Sequence, residues 1–173
     1  MKGNTVNTDK IKITTTCVAL LAIALYQRFK LYTFESDHLS LFDADWIIGH
    51  LREAGGLNLI ISSFLTQFFK FPIVGAIVTT IIYLAIILCV NKLISSVVES
   101  KSFNPLALVP VGFMVLCIED LFYGYRGHVA MAVGLALVIL YQRIIQNNTK
   151  HEIAVALAFS VVLYELFGAI ALL

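Results

Sequence analysis

The chain has 173 residues, 60% hydrophobic and 13% charged, with a mean hydropathy of +0.90 and a net charge of +1. Soluble domains are nearer half apolar and a quarter charged, so this composition excludes an ordinary globular domain and predicts an all-α, polytopic transmembrane bundle. The basic residues are scattered and form no patch, which leaves no basis for a nucleic-acid partner.

The first apolar run, 13–27, follows Lys2, Lys10 and Lys12 but ends in Tyr26-Gln27-Arg28-Phe29 rather than a small-residue cleavage site. It therefore reads as a retained anchor and not as a signal peptide. Cys17, and later Cys89 and Cys117, fall in apolar runs without ligand spacing, so they read as small hydrophobes.

Residues 28–70 interrupt the membrane pattern with an insert that carries Glu35, Asp37, Asp43, Asp45 and Glu53. Two short amphipathic helices are expected in it. Ala44, Ile47, Ile48 and Leu51 share one stripe of the first, with Asp43, Gly49, His50 and Glu53 opposite. Leu57, Ile60, Ile61, Phe64 and Phe68 share one face of the second, with Asn58, Ser62, Ser63 and Thr66 on the other. Gly55-Gly56 separates them as a C-cap and turn. Each helix is too short to span and two-faced, so both are expected to lie in the outer membrane interface.

Asp43-Ala44-Asp45 is the main catalytic candidate of the insert. Two carboxylates two residues apart can hold a divalent cation, the one cofactor suggested here, on a phosphate-bearing donor. They face the same way in extended backbone and not on a helix, so a metal site requires residues 43–45 to be non-helical. The alternative is an N-cap at Asp43 and a first-turn acid at Asp45. His50 and Arg52 are candidates for an anionic headgroup or pyrophosphate, or else form a solvated face. His38 has no partner at ligand spacing.

Pro72 marks the turn into a second span, 71–91. A third is expected over 105–118, with Pro105 opening it and Pro110 a potential kink. Glu119-Asp120 ends that span, followed by Tyr123, Tyr125, Arg126 and His128. These acids are further catalytic candidates, with Arg126 and His128 as substrate-binding residues. Equally, the segment can be a salt-bridged turn in an aromatic belt. A fourth span is expected over 128–141 and a fifth over 153–173. Glu165 lies roughly 18 Å into the fifth at 1.5 Å per residue, an intramembrane charge to be paired or protonated; Arg126 is the expected partner. Asn147-Asn148-Thr149 matches a glycosylation sequon but falls on the expected cytoplasmic side.

With the N-terminus in the cytoplasm, seven Lys and Arg lie inside (Lys2, Lys10, Lys12, Lys92, Lys101, Arg143, Lys150) and five outside (Arg28, Lys30, Arg52, Lys70, Arg126). That bias puts the insert on the outer face. Residues 1–173 read as a single transmembrane domain without internal repeats. The abrupt apolar end predicts the N-terminal part of a longer protein.

Several segments resemble a family of uncharacterised multi-span inner-membrane proteins of Gram-negative bacteria. They are Glu35 with Leu41-Phe42, Gly55-Gly56-Leu57, Phe64 through Phe69, Pro72, Gly75-Ala76, Val109-Pro110 and Glu119-Asp120. The resemblance covers residues 30–142 and implies further spans and a soluble C-terminal part, but no activity. Glu53-Ala54-Gly55-Gly56 departs from the Pro-Gly-Gly expected there, which makes the turn less rigid. In architecture alone, the chain is similar to polyprenyl-phosphate-dependent membrane glycosyltransferases. That similarity implies a base or metal-ligand role for Asp43 or Asp45.

Three functions follow as expectations. One is the membrane module of an outer-face glycosyltransferase-like enzyme using a lipid-linked donor. The second is a scaffold subunit of an envelope complex, contacting other membrane subunits or docking a partner through Phe42 and Trp46. The third is a transporter, disfavoured because no discontinuous helix pair or inverted repeat is visible.

Overall fold

The computed structural model describes residues 3–27, 30–32, 43–98, 102–118, 125–147 and 152–168. The described residues are helical with no strands. In chain order the helices are α1 (Gly3–Tyr26), α2 (Ala44–Leu51), α3 (Gly56–Thr66), α4 (Pro72–Val98), α5 (Val109–Cys117), α6 (Arg126–Asn147) and α7 (Glu152–Phe167). Short 3₁₀ turns, Gln67–Lys70 and Pro105–Leu108, lead into α4 and α5.

Helix α4 is the axis of the bundle. Its 27 residues reach about 40 Å at 1.5 Å per residue. Pro72 occupies its first position, where a missing N–H costs nothing, and Phe71 before it is extended, as a residue preceding proline prefers. Helices α1 and α6 pack along it. The fully buried Tyr83, Ile86 and Ile87 of α4 meet Leu20, Val111, Met114, Ile118 and Val129 from the surrounding helices. The end of α1 is tied across the bundle: Gln27 Nε2 donates to the Val115 carbonyl at 3.1 Å.

Two of the expected spans, α4 and the Arg126–Ile145 part of α6, are long and apolar enough to cross a membrane. The third runs over 105–117, close to the expected 105–118, as a 3₁₀ turn followed by the nine-residue α5. Asn104 caps its 3₁₀ start by accepting from the Leu106 N–H at 3.0 Å, and Pro110 sits in the first turn of α5. There the proline opens a helix and kinks nothing, because the first-turn N–H groups have no helical acceptor. Helix α7 stops at Phe167, where Gly168 takes a left-handed φ of 63°.

The Gly55-Gly56 turn also differs from expectation. Helix α2 is closed by Arg52 in right-handed conformation, and Gly55, at φ 81°, opens α3. The glycines belong to the start of the second helix and not to the end of the first.

Candidate functional site

The acidic pair of the insert fails the condition for a shared metal. Asp43 is extended, at φ −87° and ψ 164°, but Ala44 and Asp45 are already helical. Asp43 Oδ1 accepts the Trp46 backbone N–H at 2.7 Å, an N-cap bond that satisfies one orphan donor of α2. Asp45 sits in the first turn, where the helix dipole favours a carboxylate. The two side chains diverge around the helix. Among the described residues no group of three or more His, Cys, Asp or Glu can hold a metal ion. In this structure Asp43 caps α2 and Asp45 lies in its first turn, so the non-helical backbone over 43–45 that a shared metal requires is not present.

His50 is engaged within its own helix. Its Nδ1 lies 2.8 Å from the Trp46 carbonyl oxygen, and its ring packs on the Trp46 indole at 4.4 Å. Arg52 and Glu53 are exposed beyond the end of α2. Glu119 and Asp120 lie outside the described residues, as do Glu35, Asp37, His38 and Phe42. Glu165 is exposed, and among the described residues no ion pair joins it to Arg126. Its backbone is what the fold uses: the Glu165 carbonyl accepts the Gly55 N–H at 2.9 Å.

Arg126 and His128, at the start of α6, do belong to a polar assembly. His128 is fully buried and stacks on Tyr125, with ring centroids 5.1 Å apart and planes 13° apart. The Tyr83 hydroxyl lies 3.3 Å from His128 Nε2. Tyr125 donates to Thr79 Oγ1 at 3.3 Å and meets the edge of Phe69 at 4.8 Å. Burial pushes the Tyr125 phenol well above the ordinary tyrosine value, against the opposing effect of the Thr79 bond, so the hydroxyl stays protonated. These residues join α4 to α6 through a buried interior network rather than an open site.

The polar face of α3 completes the assembly. Asn58, Ser62, Ser63 and Thr66 are each 2–3% exposed, whereas Phe64 on the other face is 51% exposed and Leu57, Ile61 and Phe68 about 36–37%. The helix has turned its polar side inward, against α6 and α7, and its apolar side out. Asn58 Nδ2 donates to the Arg126 carbonyl at 3.2 Å. Ser62, Ser63, Thr66, Tyr125 and Arg126 line a small cavity of about 10 Å³.

Sequence reasoning identified both faces of α3 but not which one packs. Ser62, Ser63 and Thr66 were therefore missed as site residues. Their spacing of one and three residues on a helix otherwise rich in Leu, Ile and Phe was the available signal.

Fold and site together define an all-helical protein with two helices apolar and long enough to cross a membrane. The chain belongs to the family of unknown function DUF6057, whose family model matches residues 5–173. That match extends past both ends of the region 30–142. No curated protein and no solved structure matches the chain.

Proposed function

We propose that the chain is a multi-pass membrane protein of the bacterial inner membrane, with α3 packed on the bundle and its apolar face in lipid. The inverted polarity of α3 carries this reading. In water, leaving Leu57, Ile61, Phe64 and Phe68 partly exposed forgoes up to about 1.5–3 kcal/mol for each fully buried side chain. In hydrocarbon nothing is forgone, since lipid tails are as apolar as these side chains. Meanwhile Asn58 gains a partner across the bundle in the Arg126 carbonyl, and the Ser62 and Thr66 hydroxyls bond carbonyls of their own helix. Phe71, Ile73 and Phe113, all more than 60% exposed, extend the same apolar surface over α4 and α5.

Within that frame, the activity we propose is group transfer from a lipid-linked donor on the outer face, in the manner of membrane glycosyltransferases. The polar seam between α3 and α6 supports it, because it brings Arg126 and Tyr125 together with three hydroxyl-bearing residues of α3, the helix read as lipid-facing. A non-catalytic scaffold is the second reading. The commitment of Asp43 to the α2 cap favours it, since that carboxylate already has a structural use.

Single cysteines at positions 63, 64 and 68, in a background with Cys17, Cys89 and Cys117 replaced by serine, test the membrane frame by spin-label accessibility. Labels at 64 and 68 should be reached by oxygen and not by a water-soluble nickel chelate; the reverse pattern sinks the frame. Asp43→Asn and Asp45→Asn separate the two activities. An enzyme using either carboxylate loses turnover of the lipid-linked sugar pool at normal expression, and a scaffold is unaffected.

A further inference from the structure

We propose that the seam between α3 and α6 is a binding site for a phosphate oxyanion, with Arg126 as its charge and Ser63 as its hydroxyl donor. Arg126 Nε is buried and has no acceptor among the described residues. Such a donor fits an acceptor-bearing ligand, because an unpaired guanidinium N–H away from water is costly. Ser63 lines the same cavity, is 3% exposed, and among the described residues its hydroxyl makes no hydrogen bond.

The other two hydroxyls are set differently. Ser62 Oγ donates to the Leu59 carbonyl at 2.9 Å and Thr66 Oγ1 to the Ser63 carbonyl at 3.0 Å. Those bonds fix the rim and leave Ser63 as the hydroxyl with a proton to give. Arg126 is also the first residue of α6, so the positive end of that helix begins at the cavity, although the His128 and Val129 N–H groups are taken by the Tyr125 carbonyl at 3.1 and 3.4 Å. Among the described residues, no carboxylate lines the cavity.

Size sets how the ligand enters. The cavity of about 10 Å³ takes at most one oxygen atom, much as it would take one water, and the rest of the group stays outside it. A tetrahedral phosphate presents one oxygen to the interior while its substituents stay outside. The chemistry is shared by inorganic phosphate and by the phosphodiester of a lipid headgroup. The lipid source rests on the membrane reading above, and the soluble source does not.

The test uses the full chain purified in detergent. Phosphatidylglycerol, and diacylglycerol with the same acyl chains, are titrated into the micelles, and retention is read by native mass spectrometry. Inorganic phosphate is titrated separately by calorimetry and as a competitor. We expect phosphatidylglycerol to be held in preference to diacylglycerol, and R126Q to weaken it about tenfold, the scale of one charge-assisted hydrogen bond. S63A keeps the guanidinium and should lose about threefold, which maintains the test if R126Q does not fold. Competition by inorganic phosphate identifies the phosphate group itself as sufficient; binding without competition identifies the headgroup in the membrane as the source. Equal retention of the two lipids with no phosphate binding overturns the site. Unchanged binding in both variants overturns it as well. Normal spin-label accessibility with no phosphate binding leaves the membrane reading standing and removes only this site.

Discussion

The backbone N–H of Gly55 donates to the carbonyl oxygen of Glu165 at 2.9 Å, across 110 residues of chain. This bond joins the turn before α3 to the last turn of α7. It exists because two left-handed glycines meet there: a Cβ on Gly55 would lie 3.0 Å from the Phe167 carbonyl carbon, and one on Gly168 would lie 2.9 Å from the Ala54 carbonyl oxygen. The end of α7 thus fixes the angle at which α3 leaves α2.

Alanine at either glycine should therefore destabilise the protein. The left-handed backbone alone costs an L-residue about 1–2 kcal/mol, and the close approach adds to it. We expect Gly55→Ala and Gly168→Ala each to lower stability by about 1–3 kcal/mol in thermal unfolding in detergent. Gly112→Ala is the contrast. Gly112 is within α5 with nothing within 4 Å of a Cβ, so alanine there should stabilise by about 0.5–1 kcal/mol. Equal effects at Gly55 and Gly112 would show that the junction is not formed.

Asp43 offers a second comparison. Removing the cap with Asp43→Ala should cost about 1 kcal/mol, whereas Asp43→Asn should cost little because asparagine caps nearly as well. Helix content by circular dichroism and the unfolding midpoint read both. A larger loss for asparagine than for alanine would mean the carboxylate charge does something beyond capping.

The two faces of α3 should respond oppositely to polarity. Phe64→Lys places a charge on the exposed face and, in the membrane reading, should lower the amount of protein inserted while the inserted fraction stays resistant to alkali washing. Ser62→Leu puts a larger side chain into the packed face and should cost about 1–3 kcal/mol by overpacking. If Ser62→Leu is stabilising and Phe64→Lys is silent, α3 lies the other way round.

Gln27→Leu probes the tie between α1 and α5. It leaves the Val115 carbonyl without its side-chain donor, and a buried polar group so stranded costs about 1–3 kcal/mol. Unfolding in detergent should report that loss, and Gln27→Glu, which cannot donate when ionised, should be at least as damaging.

Composition alone established helices, because apolar runs bounded by Pro72, Pro105 and the glycines admit little else. The 3.6-residue pattern also separated the two faces of α3 correctly, since periodicity is a local property of the chain. The fate of Asp43 and Asp45 turned on where α2 begins. That start is set by the capping bond to Trp46, and both a capped helix and an extended pair were compatible with the same three residues. Which face of α3 turns inward was not readable, because burial depends on what the helix meets: Arg126 and Tyr125 come from more than fifty residues away. The Gly55–Glu165 junction was equally hidden. A glycine announces freedom at φ, but only the arrival of α7 says what that freedom is for.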